Sequence, residues 1–254
     1  MIDHLVIRNS LVKLDLVIPV LNEESSLVTQ INKVIDYFNC VKELGVDLRL
    51  IISDNGSTDT TPELAAELVE QFQGRVIYQN VPRSGVGLAL KHSWGSSDAD
   101  WVGYMDLDLA TDLAHLKDVL SIINNDRFDL IYGSRLSKGS VVHNRTFFRE
   151  VTSRIFNLIL RKYLHVRLKD GMCGFKFLRR DILDSLIESG ANSDGWFFCS
   201  AILVVSEYQG VRIKELPVHW SDDPNSKVKA IPLAMRYLSE MKALKVSLRT
   251  MGKV

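Results

Sequence analysis

The chain is poor in cysteine, in net charge and in long apolar runs, and each scarcity closes off a class of protein. Three cysteines, Cys40, Cys173 and Cys199, are scattered along 254 residues. An odd, unpatterned set offers neither a disulfide framework nor a zinc site, and it suits a reducing compartment. Thirty-one lysines and arginines balance thirty-one aspartates and glutamates. A nucleic-acid binder that relies on bulk electrostatics is usually more basic, so no nucleic-acid partner is expected. No stretch reaches the roughly 18 apolar residues needed to span a bilayer. Met1 to Ser10 does not read as a secretory leader, because Asp3, His4 and Arg8 interrupt its apolar residues. The expected location is cytoplasmic, with any membrane contact peripheral and on the cytoplasmic face. Repeats and low-complexity linkers are also absent, and 46% hydrophobic residues suffice for one sizeable core.

What is present is an alternation of strands and helices. LDLVIPV (Leu14 to Val20), LRLIIS (Leu48 to Ser53), RVIYQN (Arg75 to Asn80), WVGYM (Trp101 to Met105) and FDLIYGS (Phe128 to Ser134) read as strands. The most continuous of these apolar runs suit parallel strands buried on both faces. Helical spacing follows at Ser25 to Phe38, at Gly87 to Trp94 and at Leu113 to Ile123. Another helix starts at Thr61-Pro62-Glu63, with threonine at the cap and proline in the first turn. This order predicts an α/β fold with a mostly parallel sheet. In the second half, Thr146 to Tyr163 reads as a basic helix and Gly174 to Arg180 as a strand. Asp181 to Ser189 and Trp196 to Gln209 read as helices. Val211 to Trp220 is a strand interrupted by Pro217, and Ile231 to Arg249 an amphipathic helix. The expected division is a domain over 1–229 and a C-terminal amphipathic helix over 230–254, whose apolar residues either pack on the sheet or lie in a bilayer surface.

Three strands end on acids or amides: Asn22-Glu23, Asp54-Asn55, and Asp106 with Asp108. In open parallel sheets, ligands bind beyond the carboxyl ends of strands, so these groups should meet in one crevice. Side chains two apart on extended chain face the same way. Asp106 and Asp108 would therefore share one object, and two close like charges favour a cation between them. Hard oxygen ligands suit Mg²⁺ or Mn²⁺, usually shared with substrate phosphates. A lone Asp-x-Asp is commonly just a solvated loop; the position after a buried strand argues for the metal. Arg83-Ser84-Gly85-Val86-Gly87 opens a helix, where glycines permit close approach of an anion, although a plain glycine turn explains it equally well. Asp54-Asn55-Gly56 is a candidate contact for a base or ribose.

Together these residues resemble family 2 glycosyltransferases of the GT-A fold, from about Leu14 to Lys229. VIPVLNEE is similar to the opening strand, with Pro19, Asn22 and Glu23 on the substrate side. SDNGSTDTT is similar to the nucleotide-binding turn, RSGVGLALKHS to the Gly-x-Gly segment, MDLDLAT to the metal motif and YGSR to the strand that follows. KDGMCGFKFLRRD (Lys169 to Asp181) and LPVHW most resemble the polyprenyl- and dolichyl-phosphate glucosyl- and mannosyltransferase branch. There are departures. Ala110 stands where mannosyltransferases of that branch often have Gln, and Cys199 and Ala201 stand where acids are expected. No Glu-Asp dipeptide, which supplies the base in other branches, occurs in the chain.

The resemblance implies an inverting transfer of a hexose from a UDP-glucose or GDP-mannose type donor to a polyprenyl phosphate at the membrane surface. Asp106 and Asp108 would hold the metal, and Asp54 the base or ribose. A phosphate monoester is already ionised near pH 7 and needs no general base. It needs cations instead, and Arg135, Arg149, Arg145 and Lys227 are the candidates. Asp170 would orient Arg149 or assist the acceptor. Without a spanning helix, the basic helix, the last helix or a membrane-anchored partner subunit must hold the chain at a bilayer. The alternatives are transfer to a saccharide hydroxyl, with Asp170 as base, or a degenerate, non-catalytic binder of nucleotide-sugars.

Overall fold

The computed structural model describes residues 11–125, 127–222, 230–250 and 252, with side chains left out at 230–235. The apolar runs become the strands β1 (Val12–Val20), β2 (Val46–Asp54), β3 (Val76–Asn80), β4 (Trp101–Met105) and β5 (Leu130–Ser134). A short β6 (Val141–His143) follows, and then β7 (Phe175–Arg179), β8 (Ile213–Pro217) and β9 (His219–Ser221). Seven of them form one sheet in the order β3-β2-β1-β4-β7-β5-β8. Only β7 runs antiparallel, between β4 and β5. β6 and β9 pair separately, in parallel. Pro217 ends β8, as a residue without an N–H should, so the run expected from Val211 to Trp220 becomes two strands in two sheets.

The helices are α1 (Leu27–Val41), α2 (Thr61–Gln71), α3 (Val86–Gly95), α4 (Ala114–Asn124), α5 (Phe147–Leu164), α6 (Leu183–Glu188), α7 (Phe197–Gln209) and α8 (Ala230–Thr250). They cover both faces of the sheet and make two apolar cores. One joins α1, α2 and α4 to residues such as Leu16, Ile18 and Ile52. The other joins α3, α5, α6, α7 and α8 to Val17, Val102 and Leu178. Neighbouring residues of β1 divide between the two cores, as expected for a strand buried on both faces. Helix α7 is buried from Phe197 to Ser206, which explains its nearly uninterrupted apolar sequence. The cap of α2 differs from expectation. Thr60 occupies it, while Thr61 is fully buried and accepts the Glu23 N–H at 2.8 Å. The last helix is built into the second core through Tyr237, Met241, Leu244 and Leu248.

This strand order puts the switch point between β1 and β4, with β2 on one side and β7 on the other. The carboxyl ends of β1, β2 and β3 are tied together: Asn55 N donates to Val20 O at 2.9 Å, and Val81 N to Asp54 O at 2.8 Å. The fold therefore brings the strand ends that carry Asn22-Glu23 and Asp54-Asn55 side by side.

Candidate active site

The Asp-x-Asp pair is built by a turn rather than by strand alternation. The chain leaves β4 at Asp106, Leu109 N donates to Asp106 O at 3.2 Å, and Leu109 takes a φ of 52°. Asp108 is exposed on that turn, and its Oδ1 accepts from Ala110 N at 3.0 Å. The two carboxylates still feel each other. The Asp106 pKa is pushed up to about 7, first by burial and then by Asp108, against the opposing pull of Lys176 and Arg135. Among the described residues no donor hydrogen-bonds the Asp106 carboxylate. Gly174 makes room for it, because a Cβ there would overlap Asp106 Oδ2 at 1.8 Å. A half-buried carboxylate without a donor, beside a second carboxylate, is a donor set that fits a hard divalent cation.

The nucleotide-side candidates form a locked corner. Asn22, at φ 55°, accepts the Thr58 N–H at 2.8 Å and donates its own N–H to Ser57 Oγ at 2.9 Å. Glu23 Oε2 accepts from Ser26 Oγ at 2.5 Å. Pro19 sits in β1, paired in register with Ser53. Asp54 is fully buried, and each of its oxygens already has a donor: Ser57 N at 2.8 Å and the Tyr78 hydroxyl at 2.9 Å. It shapes the turn, which Gly56 completes at φ 85°, rather than presenting a free carboxylate. The unsatisfied acceptor at this corner is the neighbouring Asn55 Oδ1, buried without a hydrogen-bond partner. Arg83 is exposed on the loop after β3.

Gly85 and Gly87 serve a different approach from the one expected. A Cβ on Gly85 would lie 2.5 Å from Asp194 O, and one on Gly87 2.4 Å from Ser193 O. Leu88 N donates to Asp194 O at 3.1 Å. The close neighbour at this helix start is the 193–195 segment of the chain itself.

The acceptor-side candidates also rearrange. Asp170 is fully buried and grips Arg135, not Arg149: Arg135 Nε and Nη2 donate to its two oxygens at 2.8 and 2.9 Å. The Arg135 and Met172 backbone N–H groups add bonds at 3.0 and 3.2 Å. Burial acts against the charge, but Arg135 outweighs it and lowers the Asp170 pKa to about 2. A carboxylate so held is a poor general base. Arg135 in turn stacks on Trp220, its Cζ 4.8 Å from the ring centroid. Its fork is turned inward onto Asp170, and what reaches Asp106 is its charge. Arg145 is different. Its side chain is buried, yet Nε and Nη1 make no hydrogen bond, although Glu150 and Asp222 carboxylates lie 3.1 and 3.7 Å away. Burial and Arg135 lower its pKa. Arg149 Nη1 lies 3.9 Å from Asp222. Lys227 falls outside the described residues.

Sequence reasoning passed over Lys176. It is buried on β7 in register with Tyr104, its Nζ donating to Cys173 O at 2.5 Å and lying 5.6 Å from the Tyr104 ring centroid. A lysine between two phenylalanines in a central strand was the available signal. Cys199, where an acid was expected, is buried in α7 with its thiol pushed up to about 11 by that burial.

Residues 15–187 match the family described as Glycosyl transferase family 2. The chain belongs to that family of enzymes. It is 28% identical over 220 residues to Glycosyltransferase AglD of Haloferax volcanii, covering 87% of this chain but 35% of that protein. It is 25% identical over 224 residues to the dolichyl-phosphate beta-glucosyltransferase of Dictyostelium discoideum, covering 85% and 68%. The chain thus spans about a third of the first relative and two thirds of the second. Among solved structures it is similar to glucosyl-3-phosphoglycerate synthase from Mycobacterium tuberculosis in complex with Mn²⁺, UDP-glucose and phosphoglyceric acid. There the TM-score is 0.63 at 19% identity, covering 92% of this chain and 80% of that one. The GT-A architecture follows from that likeness.

Proposed function

We infer that the protein transfers a hexose, with inversion, from a nucleotide-sugar of the UDP-glucose type to an acceptor that carries a phosphate. The observation that carries the acceptor is Arg145: a buried guanidinium whose Nε and Nη1 make no hydrogen bond among the described residues, although Nε is ion-paired with Glu150 at 3.1 Å, and whose pKa the nearby Arg135 helps to lower. Burying such donors without a hydrogen bond is costly, and an acceptor phosphate would supply one. The donor reading is supported by Asn55 Oδ1, an orphan acceptor suited to a base or ribose N–H or O–H. Asp106 and Asp108 would hold Mg²⁺ or Mn²⁺, which stabilises the charge developing on a departing diphosphate.

The finer reading is that the attacking atom is a phosphate oxygen of a polyprenyl-phosphate carrier. In this structure the best second-half carboxylate, Asp170, is sequestered by Arg135, and a phosphate monoester is a nucleophile without a base. The phosphate oxygen forms the new bond to the anomeric carbon as the bond to the nucleoside diphosphate breaks. Arg145 and Arg149 hold the acceptor against the repulsion of the donor's own phosphates. The second reading is transfer to a hydroxyl of a water-soluble phosphorylated acceptor. It is favoured by the similarity to the phosphoglycerate-using synthase, and Arg145 would serve it equally.

The test is a radiolabelled transfer assay with UDP-glucose and Mn²⁺, offering polyprenyl phosphate, 3-phosphoglycerate and an unphosphorylated saccharide in separate reactions. Label should enter an organic-extractable, acid-labile product from the lipid phosphate. Transfer to phosphoglycerate alone would replace the finer reading. Transfer to the unphosphorylated saccharide alone would overturn the phosphate acceptor altogether.

A further inference from the structure

Helix α5 turns apolar residues in both directions. Its inward face carries Phe156, Leu160 and Leu164, all buried. Its outward face carries Phe148, Ile155, Leu158, Ile159 and Tyr163, exposed at 62, 52, 48, 38 and 36%, with Phe147 at 85% beside them. Successive members lie seven, three, one and four residues apart, which on a helix gathers them along one broad stripe. An exposed apolar stripe of this length marks an interaction surface. Its chemistry is mixed. A surface depression of about 290 Å³ lies against it, lined by Leu136, Arg154, Leu158, Arg161 and Lys169. Three cations thus meet two leucines at one mouth. Arg154 and Lys169 keep partly exposed ion pairs with Glu150 and Glu215, and Arg161 Nε donates to the Asn157 carbonyl at 3.3 Å. Of the two helices that sequence reasoning offered for membrane contact, α8 uses Tyr237, Met241, Leu244 and Leu248 internally, whereas the stripe on α5 stays exposed, with Lys245 Nζ 4.1 Å from the Tyr163 ring centroid at its far end.

We propose that α5 lies in the surface of an anionic bilayer, its outward stripe immersed at the headgroup–acyl boundary, with an anionic lipid headgroup in the depression between Arg154, Arg161 and Lys169. Charge complementarity selects this occupant: apolar side chains flanked by cations fit a layer that is apolar below and anionic above. Phe147 and Phe148 sit between Arg145 and Arg149 in the sequence, so the immersed end adjoins the proposed acceptor site. The surface goes beyond the proposed function, since it would hold the protein at a bilayer whatever the acceptor.

The test is sedimentation of the full chain, without donor or acceptor, with neutral phosphatidylcholine vesicles and with vesicles containing 30% phosphatidylglycerol. The wild type should bind the anionic vesicles at low salt and release in high salt. F147S/F148S/I155S should lose at least about tenfold in partitioning while keeping the wild-type melting temperature, because all three side chains are exposed. R154Q/R161Q should bind anionic and neutral vesicles nearly alike. A wild type that ignores both vesicles, or an apolar triple variant that partitions as the wild type does, overturns the proposal. So does a wild-type dimer in solution that the triple variant dissolves without any vesicle binding, which would make a second copy the occupant. The transfer assay is read separately, so loss of the lipid acceptor and loss of this surface are distinguishable.

Discussion

At the scale of single residues, the site depends on a few groups whose environments set their chemistry. The Asp170–Arg135 pair is buried and bidentate, and it holds the Asp170 pKa at about 2, below its ordinary value. Its stabilisation is therefore complete above about pH 4 and is lost as pH falls from there through 2. Over that window it amounts to about 2 kcal/mol. D170N should cost about 3–5 kcal/mol at pH 7, because it leaves Arg135 buried without a counter-charge. In denaturant titrations the gap to the wild type should narrow steadily below pH 4; an equal gap at pH 7 and pH 2.5 would argue against the ion pair. D108N is nearly isosteric and should leave the fold intact while lowering turnover at least about 10²-fold. Mn²⁺ binding, followed by the ion's own paramagnetic signal, should weaken in parallel. Unaltered turnover in D108N, or full wild-type activity in EDTA, would refute the metal assignment. The acids at strand ends were legible in the sequence because their neighbours are apolar. The Asp170–Arg135 pairing was not, because 35 residues separate the partners and nothing local links them.

At the scale of elements, most strands and helices follow from periodicity, and β4 has the limits that its apolar run gives, Trp101–Met105. What periodicity does not carry is pairing. The insertion of β7 between β4 and β5 depends on which apolar face finds which, and local sequence says nothing about that. β6 has three residues with two of them exposed, too short and too polar a run to show. The turn at Asp106–Ala110 also escaped, because Asp-x-Asp reads alike on extended and turning chain. At the start of α3 the glycines have a packing role that the motif did not suggest. Glycines before a helix suggest phosphate, yet the 193–195 segment fills the space that they leave. G87A should therefore cost about 1–3 kcal/mol of stability, as overpacking against backbone does. UDP affinity measured below the melting transition should change little. Loss of UDP binding at unchanged stability would restore the phosphate role.

At the scale of the whole molecule, the sheet separates two cores, and the second is closed by the last helix. The sequence suggested a domain over 1–229 followed by a C-terminal helix whose apolar residues either pack on the sheet or lie in a bilayer surface. In the structure Tyr237 has its ring centroid 5.2 Å from that of Phe156 and 5.7 Å from that of Phe197, and it therefore joins α5 to α7. Met241 and Leu248 are fully buried and Leu244 nearly so. Truncating one such side chain to alanine typically costs about 2–5 kcal/mol. Removing four, with the faces they cover on α5 and α7, costs about as much as the roughly 5–15 kcal/mol that holds a domain together. A chain ending at Lys229 should consequently lack a cooperative melt and bind a hydrophobic dye, while M241A in the full chain should melt cooperatively at a lower temperature. Should residues 1–229 melt cooperatively within about 5 °C of the full chain, a shift worth only about 1–2 kcal/mol at this size, α8 would be an appendage and the second core would close without it. The outcome also bears on the membrane surface, because α8 packs against α5 from the protein side. Only if that packing holds does α5 present its outward stripe as a fixed surface rather than as a loose helix.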